Sequence, residues 1–242
     1  MKYAYSAQRK ESLSLKILGI ETSSPLFSLC INEDNTILYE IRKNRLADEK
    51  SRDAQFFTEA KRIIDYFGRD NIGATAISIG PGMFTSLRVG LGLAKGLAMA
   101  QHIPLVAVNT LDVIGLSVAF LKQQVLATIN AYRQEIYAAL YKDGRRLTVY
   151  LLTTPAAVKK LIKTETVIIG SGVAVFKKNE ALYKNEKFRF VNDENFLPTA
   201  LKVVKIALPR IQSGQFDAPE DLEPFYIKKT DAERHHNKTD AL

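Results

Sequence analysis

Apolar residues near the start of the chain fall into three short runs, Leu15–Thr22 ("LKILGIET"), Leu26–Asn32 ("LFSLCIN") and Thr36–Ile41 ("TILYEI"). Turn-forming Ser23-Ser24-Pro25 and Asn32-Glu33-Asp34-Asn35 separate them, so the pattern predicts an antiparallel meander of three strands. From Ala47 the period lengthens. Phe56, Ala60, Ile63 and Phe67 recur at helical spacing as far as Gly68, predicting an amphipathic helix over 47–67. A buried strand ("ATAISIG"), a helix over Phe84–Gln101, a strand ("PLVAVN") and a helix over Leu111–Leu121 follow, giving the order βββαβαβα.

After Lys122 the pattern partly restarts. Strands are expected at "QVLATIN", "EIYAALY" and "RLTVYLL", a helix over Pro155–Ile162, a strand at "ETVIIG" and a helix over Thr199–Ile211. The economical division is a polar N-terminal extension (1–14), an N-terminal α/β lobe (15–115), a smaller C-terminal lobe (116–228) and a mobile polar tail (229–242).

Composition agrees with two lobes, since 242 residues at 46% apolar content supply a sizeable core. The single cysteine, Cys30, has no internal partner for a disulfide and sits between Leu29 and Ile31, so it reads as a small buried hydrophobe in a reducing compartment. The opening "MKYAYSAQRKESLSLK" lacks the apolar core of a signal peptide, and no run of about 18 apolar residues occurs. A cytoplasmic protein with no membrane contact is expected. Charge refines this picture. Of the net +8, most lies between Tyr141 and Phe190, where eleven Lys or Arg face four acids. Lys159, Lys160, Lys163, Lys177 and Lys178 are its candidates for contact with a polyanion; the alternative is an ordinary solvated face.

Several chemistries are missing. His102 follows a predicted helix and His235-His236 are adjacent in the tail, so no HExxH or HxxxH pair places two imidazoles on one helix face around a zinc ion. Neither GxxxxGK[ST] nor GxGxxG occurs. No cofactor and no metal are expected. What remains is "IGPGMFTSLRVG" (79–90), in which a strand runs through Gly80-Pro81-Gly82 into a helix. Free amides at such a helix start bind anions, whereas Gly-Pro-Gly also makes a tight turn with no ligand at all. The helix itself, "FTSLRVGLGLAKGLAMA", is apolar or small nearly all round and carries Gly90, Gly92 and Gly96, each costing about 1 kcal/mol relative to alanine. One face is expected on its own sheet. A second face, at Gly92, Lys95, Gly96 and Met99 and continued by Phe57 and Ile64 of the preceding helix, is covered either by the second lobe or by a partner's helix.

The segment "SIGPGMFTSLRVGLGLAKGLAMA" resembles the signature of the TsaB (YeaZ) family, and so do "ILGIETS", "VAVNTLDVI", "INAYRQEIYAALY", "VIIGSGVAVF" and Pro224-Phe225-Tyr226-Ile227-Lys228. The resemblance spans roughly residues 15 to 228. It implies an actin-like ATPase (RNase H-like) fold, α/β, with two lobes each built on a mixed sheet with flanking helices. It also implies a non-catalytic subunit for threonylcarbamoyladenosine formation at the adenosine adjacent to the tRNA anticodon, acting by heterodimerising with the catalytic subunit TsaD. A TsaE-type ATPase would join the larger complex, tRNA would be met through that complex, and a second copy would take the partner's place when the chain is alone. On this resemblance Glu21, Thr22, Gly80, Pro81, Gly82 and Arg88 mark a vestigial nucleotide or phosphate loop. Glu21, Asn130, Tyr132 and Ser171 depart from the family's Asp, Asp, Arg and Asp, and Arg52 stands about where a histidine is usual, which erodes a magnesium or water site. Two other readings stay open: an actin-fold phosphotransferase on a small metabolite, which needs an acidic magnesium site, and a metallopeptidase-like protein, which needs a metal site this sequence lacks.

Overall fold

The computed structural model describes residues 15–44, 49–178, 187–191 and 193–227, and the side chains of the first long helix from residue 53. The extension 1–14, the tail 229–242 and the side chain of Arg52 lie outside the described residues. Two mixed sheets with flanking helices form the architecture.

The first sheet is ordered β3-β2-β1-β4-β5, from β1 (Lys16–Glu21), β2 (Leu26–Glu33), β3 (Thr36–Asn44), β4 (Ile72–Ser78) and β5 (Leu105–Val108). β1 pairs antiparallel with β2 and parallel with β4, and β5 extends the parallel half. Strands covered on both faces read as continuous apolar runs, and β1 and β4 are buried along nearly their whole length. On one face lie α1 (Glu49–Phe67) and α2 (Phe84–Gln101), whose Phe56, Ala60, Ile63, Leu91, Ala94 and Leu97 pack on Leu18, Ile20, Leu29 and Ile31.

The other face is covered by a helix that sequence reading assigns to the C-terminal lobe. The stripe Ala200, Val203, Val204, Ala207 and Ile211 of α6 (Ala200–Gln212) packs on Ile17, Cys30, Ala74, Ala76 and Val106 of the first sheet. Approach is close at Gly19, where a Cβ would lie 2.6 Å from Val204 Cγ2 and 2.7 Å from the Ala200 carbonyl oxygen. The Oγ of Ser28 accepts the Ala200 N–H at 2.7 Å. The expected division at residue 116 therefore does not follow the packing, because the end of the chain returns to the lobe where it began. A helical stripe states that a sheet lies beneath it but not which one.

The second sheet is ordered β11-β10-β6-β7-β8, from β6 (Gln124–Asn130), β7 (Ile136–Lys142), β8 (Arg145–Arg146), β10 (Thr166–Ile169) and β11 (Phe188–Phe190), with β9 (Leu151–Thr153) also on β7. The expected single strand "RLTVYLL" is split into β8 and β9. Thr148 Oγ1 takes the Leu140 N–H at 3.1 Å and lifts the chain off the ladder. Tyr150 thereby reaches α3 (Thr110–Leu116), where Asp112 accepts hydroxyls from Tyr141 at 2.7 Å and Tyr150 at 2.6 Å. Burial, followed by the Asp112 carboxylate, pushes both phenols above their ordinary range. α4 (Pro155–Leu161) and α5 (Val173–Lys177) cover the other face.

Candidate functional site

The loop after β4 is held by the protein itself. Gly80 has φ of 112°, open to glycine, and a cis peptide joins it to Pro81. Its N–H donates to Thr110 Oγ1 at 3.1 Å, its carbonyl accepts the Thr110 N–H at 2.8 Å, and the Met83 N–H donates to the Ser23 carbonyl at 2.8 Å. Gly82 lies directly on the Ser23 backbone, since a Cβ there would stand 2.4 Å from that carbonyl oxygen. The Gly80 and Met83 amides are thus bonded to the protein's own acceptors and fix the turn into α2. Glu21 is fully buried at the end of β1, and its Oε1 accepts the Ser23 N–H at 2.6 Å and the Ser23 hydroxyl at 2.5 Å. Thr22 is buried against α2 at Gly90, where a Cβ would come within 2.3 Å of Thr22 Oγ1.

Between the lobes lies a cleft of about 200 Å³. Ser23, Ser24, Gly82, Met83 and Thr110 line it from one side, and Asn130, Tyr132, Tyr137 and Ser171 from the other; among the described residues none of its lining side chains is charged. Asn130 and Ser171, two of the positions that depart from the family pattern, meet here: the Asn130 N–H donates to Ser171 Oγ at 3.1 Å. Asn130 Oδ1 in turn accepts the Tyr132 N–H at 2.9 Å and starts a turn with Tyr132, Arg133 and Gln134 all at positive φ. No local pattern in the sequence reveals this pairing, because Asn130 ends β6 and Ser171 follows β10, strands that are neighbours only in the sheet. A larger concavity, about 430 Å³, is the apolar trough between Leu38 and Tyr39 of β3 and Arg62–Phe67 of α1, away from the loop.

The glycines of α2 divide by face. Gly90 is buried against Thr22, whereas a Cβ added at Gly92 or Gly96 meets nothing within 4 Å. Met99 of α2 and Phe57 of α1 are each 46% exposed, and Ile64 is half-buried against the core. Lys95 is occupied otherwise: its ammonium donates to the Leu222 carbonyl at 3.0 Å and the Glu220 carbonyl at 3.4 Å, tying the C-terminal segment along α2. Arg88, grouped by resemblance with the phosphate loop, does not line the cleft among the described residues. Its guanidinium lies over the Phe84 ring, 4.0 Å from the centroid, and its Nε donates to Tyr226 Oη at 3.1 Å. The Phe84 contact follows from i, i+4 spacing on α2, whereas Tyr226 belongs to the Pro-Phe-Tyr-Ile segment, whose destination on α2 no local pattern reveals.

Lys159 and Lys160 on α4, Lys163 just beyond it, and Lys177 and Lys178 at the end of α5 are all exposed on the helical layer that covers one face of the second sheet. Among the described residues no group of three or more His, Cys, Asp or Glu could hold a metal ion, and no helix is long and apolar enough to cross a membrane.

Two lobes built on mixed sheets about a cleft define the actin-like ATPase (RNase H-like) class. The same architecture is found in YeaZ from Pseudomonas aeruginosa, which superposes with a TM-score of 0.72 at 21% identity, covering 88% of this chain and 100% of that one. The family model for TsaD, tRNA N6-adenosine threonylcarbamoyltransferase, matches residues 66–233. The tRNA threonylcarbamoyladenosine biosynthesis protein TsaB of Escherichia coli (strain K12) is 26% identical over 227 residues, 88% of this chain and 95% of that protein. TsaB of Haemophilus influenzae (strain ATCC 51907 / DSM 11121 / KW20 / Rd) is 23% identical over 239 residues, 89% of this chain and 94% of its own length. The chain belongs to the TsaD family and, within it, to the TsaB (YeaZ) group, named for tRNA threonylcarbamoyladenosine biosynthesis.

Proposed function

We propose that this chain is a non-catalytic subunit required for threonylcarbamoyladenosine formation at the adenosine adjacent to the tRNA anticodon, and that it acts by docking on TsaD through the open face of α2 and α1. The observation that carries this reading is the contrast between Gly90, consumed by packing inside the chain, and Gly92 and Gly96, which meet nothing. Glycine inside a helix costs about 1 kcal/mol relative to alanine, and the chain's own fold returns nothing for it at those two positions. Close approach of a second helix does. Phe57 and Met99 supply apolar flanks, and when the chain is alone a second copy takes the same place.

A passive role in the chemistry is supported by the interlobe cleft, whose lining side chains among the described residues are uncharged. Phosphoryl transfer needs carboxylates for magnesium and donors for phosphate. In this reading Glu21, Thr22, Gly80, Pro81 and Gly82 serve to set the angle of α2. The TsaE-type ATPase joins the assembled pair, and tRNA meets it through the exposed lysines of the second lobe. Reconstitution tests the assignment: the chain alone should neither hydrolyse ATP above background nor modify tRNA, while adding it to TsaD and the remaining pathway proteins should switch modification on. Magnesium-dependent turnover by the chain alone, lost in Glu21→Ala, would make it an enzyme.

A further inference from the structure

We infer that Arg88 is the polar anchor of the α2 docking face and receives a carboxylate carried by the docking partner. The inference rests on the docking reading above, and adds to it a charged contact that fixes register.

Phe84, Arg88, Gly92 and Gly96 recur every four residues and Met99 follows, so they form one stripe along α2, and all five are exposed. At 1.5 Å of rise per residue, Arg88 stands ~6 Å along the axis from Gly92. A helix seated over Gly92 and Gly96, itself ~10 Å across, therefore reaches Arg88. The guanidinium is already held in place. It stacks at 4.0 Å on Phe84, whose ring is stacked in turn on Tyr226 with centroids 5.1 Å apart and planes 25° apart, and Nε is bonded to Tyr226 Oη. Its two terminal nitrogens have no acceptor among the described residues, and the first turn of α2 contains no acidic residue. Lys95, the other cation of the helix, is bonded to carbonyls of the C-terminal segment.

A partner that covers the stripe strips water from those two terminal nitrogens, and a desolvated guanidinium with unfilled donors opposes binding. Association is favourable there only if the incoming surface supplies an acceptor. The two parallel N–H vectors match the two oxygens of a carboxylate, and a guanidinium fixed by stacking loses little freedom on pairing. A phosphate from tRNA would satisfy the same donors. The position in line with the small-residue stripe, rather than on the lysine-bearing layer of the other lobe, favours a protein carboxylate.

The test measures the dissociation constant for TsaD from the same organism at low and moderate salt, for the wild-type chain and for Arg88→Gln, Arg88→Lys and Gly96→Leu, with a melting curve of each. Arg88→Gln should weaken binding by about 30-fold or more, chiefly through faster dissociation, and should reduce its salt dependence; Arg88→Lys should recover only part of the loss. Arg88→Gln binding within twofold of wild type, while Gly96→Leu does not bind, overturns the anchor and leaves the docking face intact. Gly96→Leu binding like wild type overturns the docking face itself. A loss confined to tRNA affinity of the assembled pair would assign Arg88 to phosphate and also overturn the proposal. If Arg88→Gln fails to fold, Arg88→Lys decides, and full affinity in that variant contradicts a bidentate carboxylate.

Discussion

Gly90 and Gly96 stand six residues apart on one helix and carry opposite expectations for the same substitution. At Gly90 a methyl group would come within 2.3 Å of Thr22 Oγ1, in a contact buried on both sides. Gly90→Ala should therefore destabilise the isolated chain by about 1–3 kcal/mol, the usual penalty for overpacking. At Gly96 nothing lies within 4 Å, so Gly96→Ala should stabilise the isolated chain by ~0.5–1 kcal/mol through helix propensity alone. Urea unfolding of both variants checks the pair, and equal effects would place both glycines in the same environment. At this scale the sequence was informative about residue type and silent about contact. Gly92, Gly96, Met99 and Phe57 stood out as a surplus of small and apolar positions, and all four are exposed on α1 and α2. Lys95 and Arg88 could not be placed from the sequence. Their partners, Leu222, Glu220 and Tyr226, lie more than a hundred residues away along the chain.

Elements were legible where one periodicity sufficed. β1 to β5 follow from short apolar runs bounded by turn residues, and α1 and α2 from helical spacing, with their cores from the same residues. Pairing across the chain was not. The apolar stripe of α6 is plain in the sequence, but its close approach at Gly19 and its packing beside Ala74 and Ala76 of the first sheet are not. The segment after α6 continues this return and covers the free edge of β5. The Asp217 N–H donates to the Leu105 carbonyl at 2.9 Å, its Oδ2 accepts the Ala107 N–H at 2.7 Å, and Arg210 bonds both carboxylate oxygens at 3.0 and 3.1 Å. Removing the carboxylate leaves a strand amide and a guanidinium short of acceptors. Asp217→Ala should cost about 1–3 kcal/mol and speed hydrogen exchange at the Ala107 amide more than at β1. Unchanged exchange there would show that the edge is protected without the side chain.

For the molecule as a whole, the proposed function divides the work between the two lobes. The first presents the α2 stripe, and the second carries the exposed lysines of α4 and α5. If those lysines meet tRNA in the complex, each neutralised phosphate adds about 0.7–0.9 to the slope of log affinity against log salt. Reversing Lys159, Lys160 and Lys163 to glutamate should flatten that slope, and an unchanged slope would assign them to solvation. The docking of the first lobe is the claim on which the rest depends, and Gly96→Leu addresses it most directly. At a dilution where the wild-type chain is monomeric, a side chain at this position meets open space, so the variant's melting temperature should equal or slightly exceed that of the wild type. The same leucine stands where a neighbouring helix axis should lie about 8–10 Å from α2, so co-elution with TsaD should be lost and tRNA modification with it. A variant that melts normally and still co-elutes with TsaD, or one that unfolds while its folded fraction binds, would contradict the account.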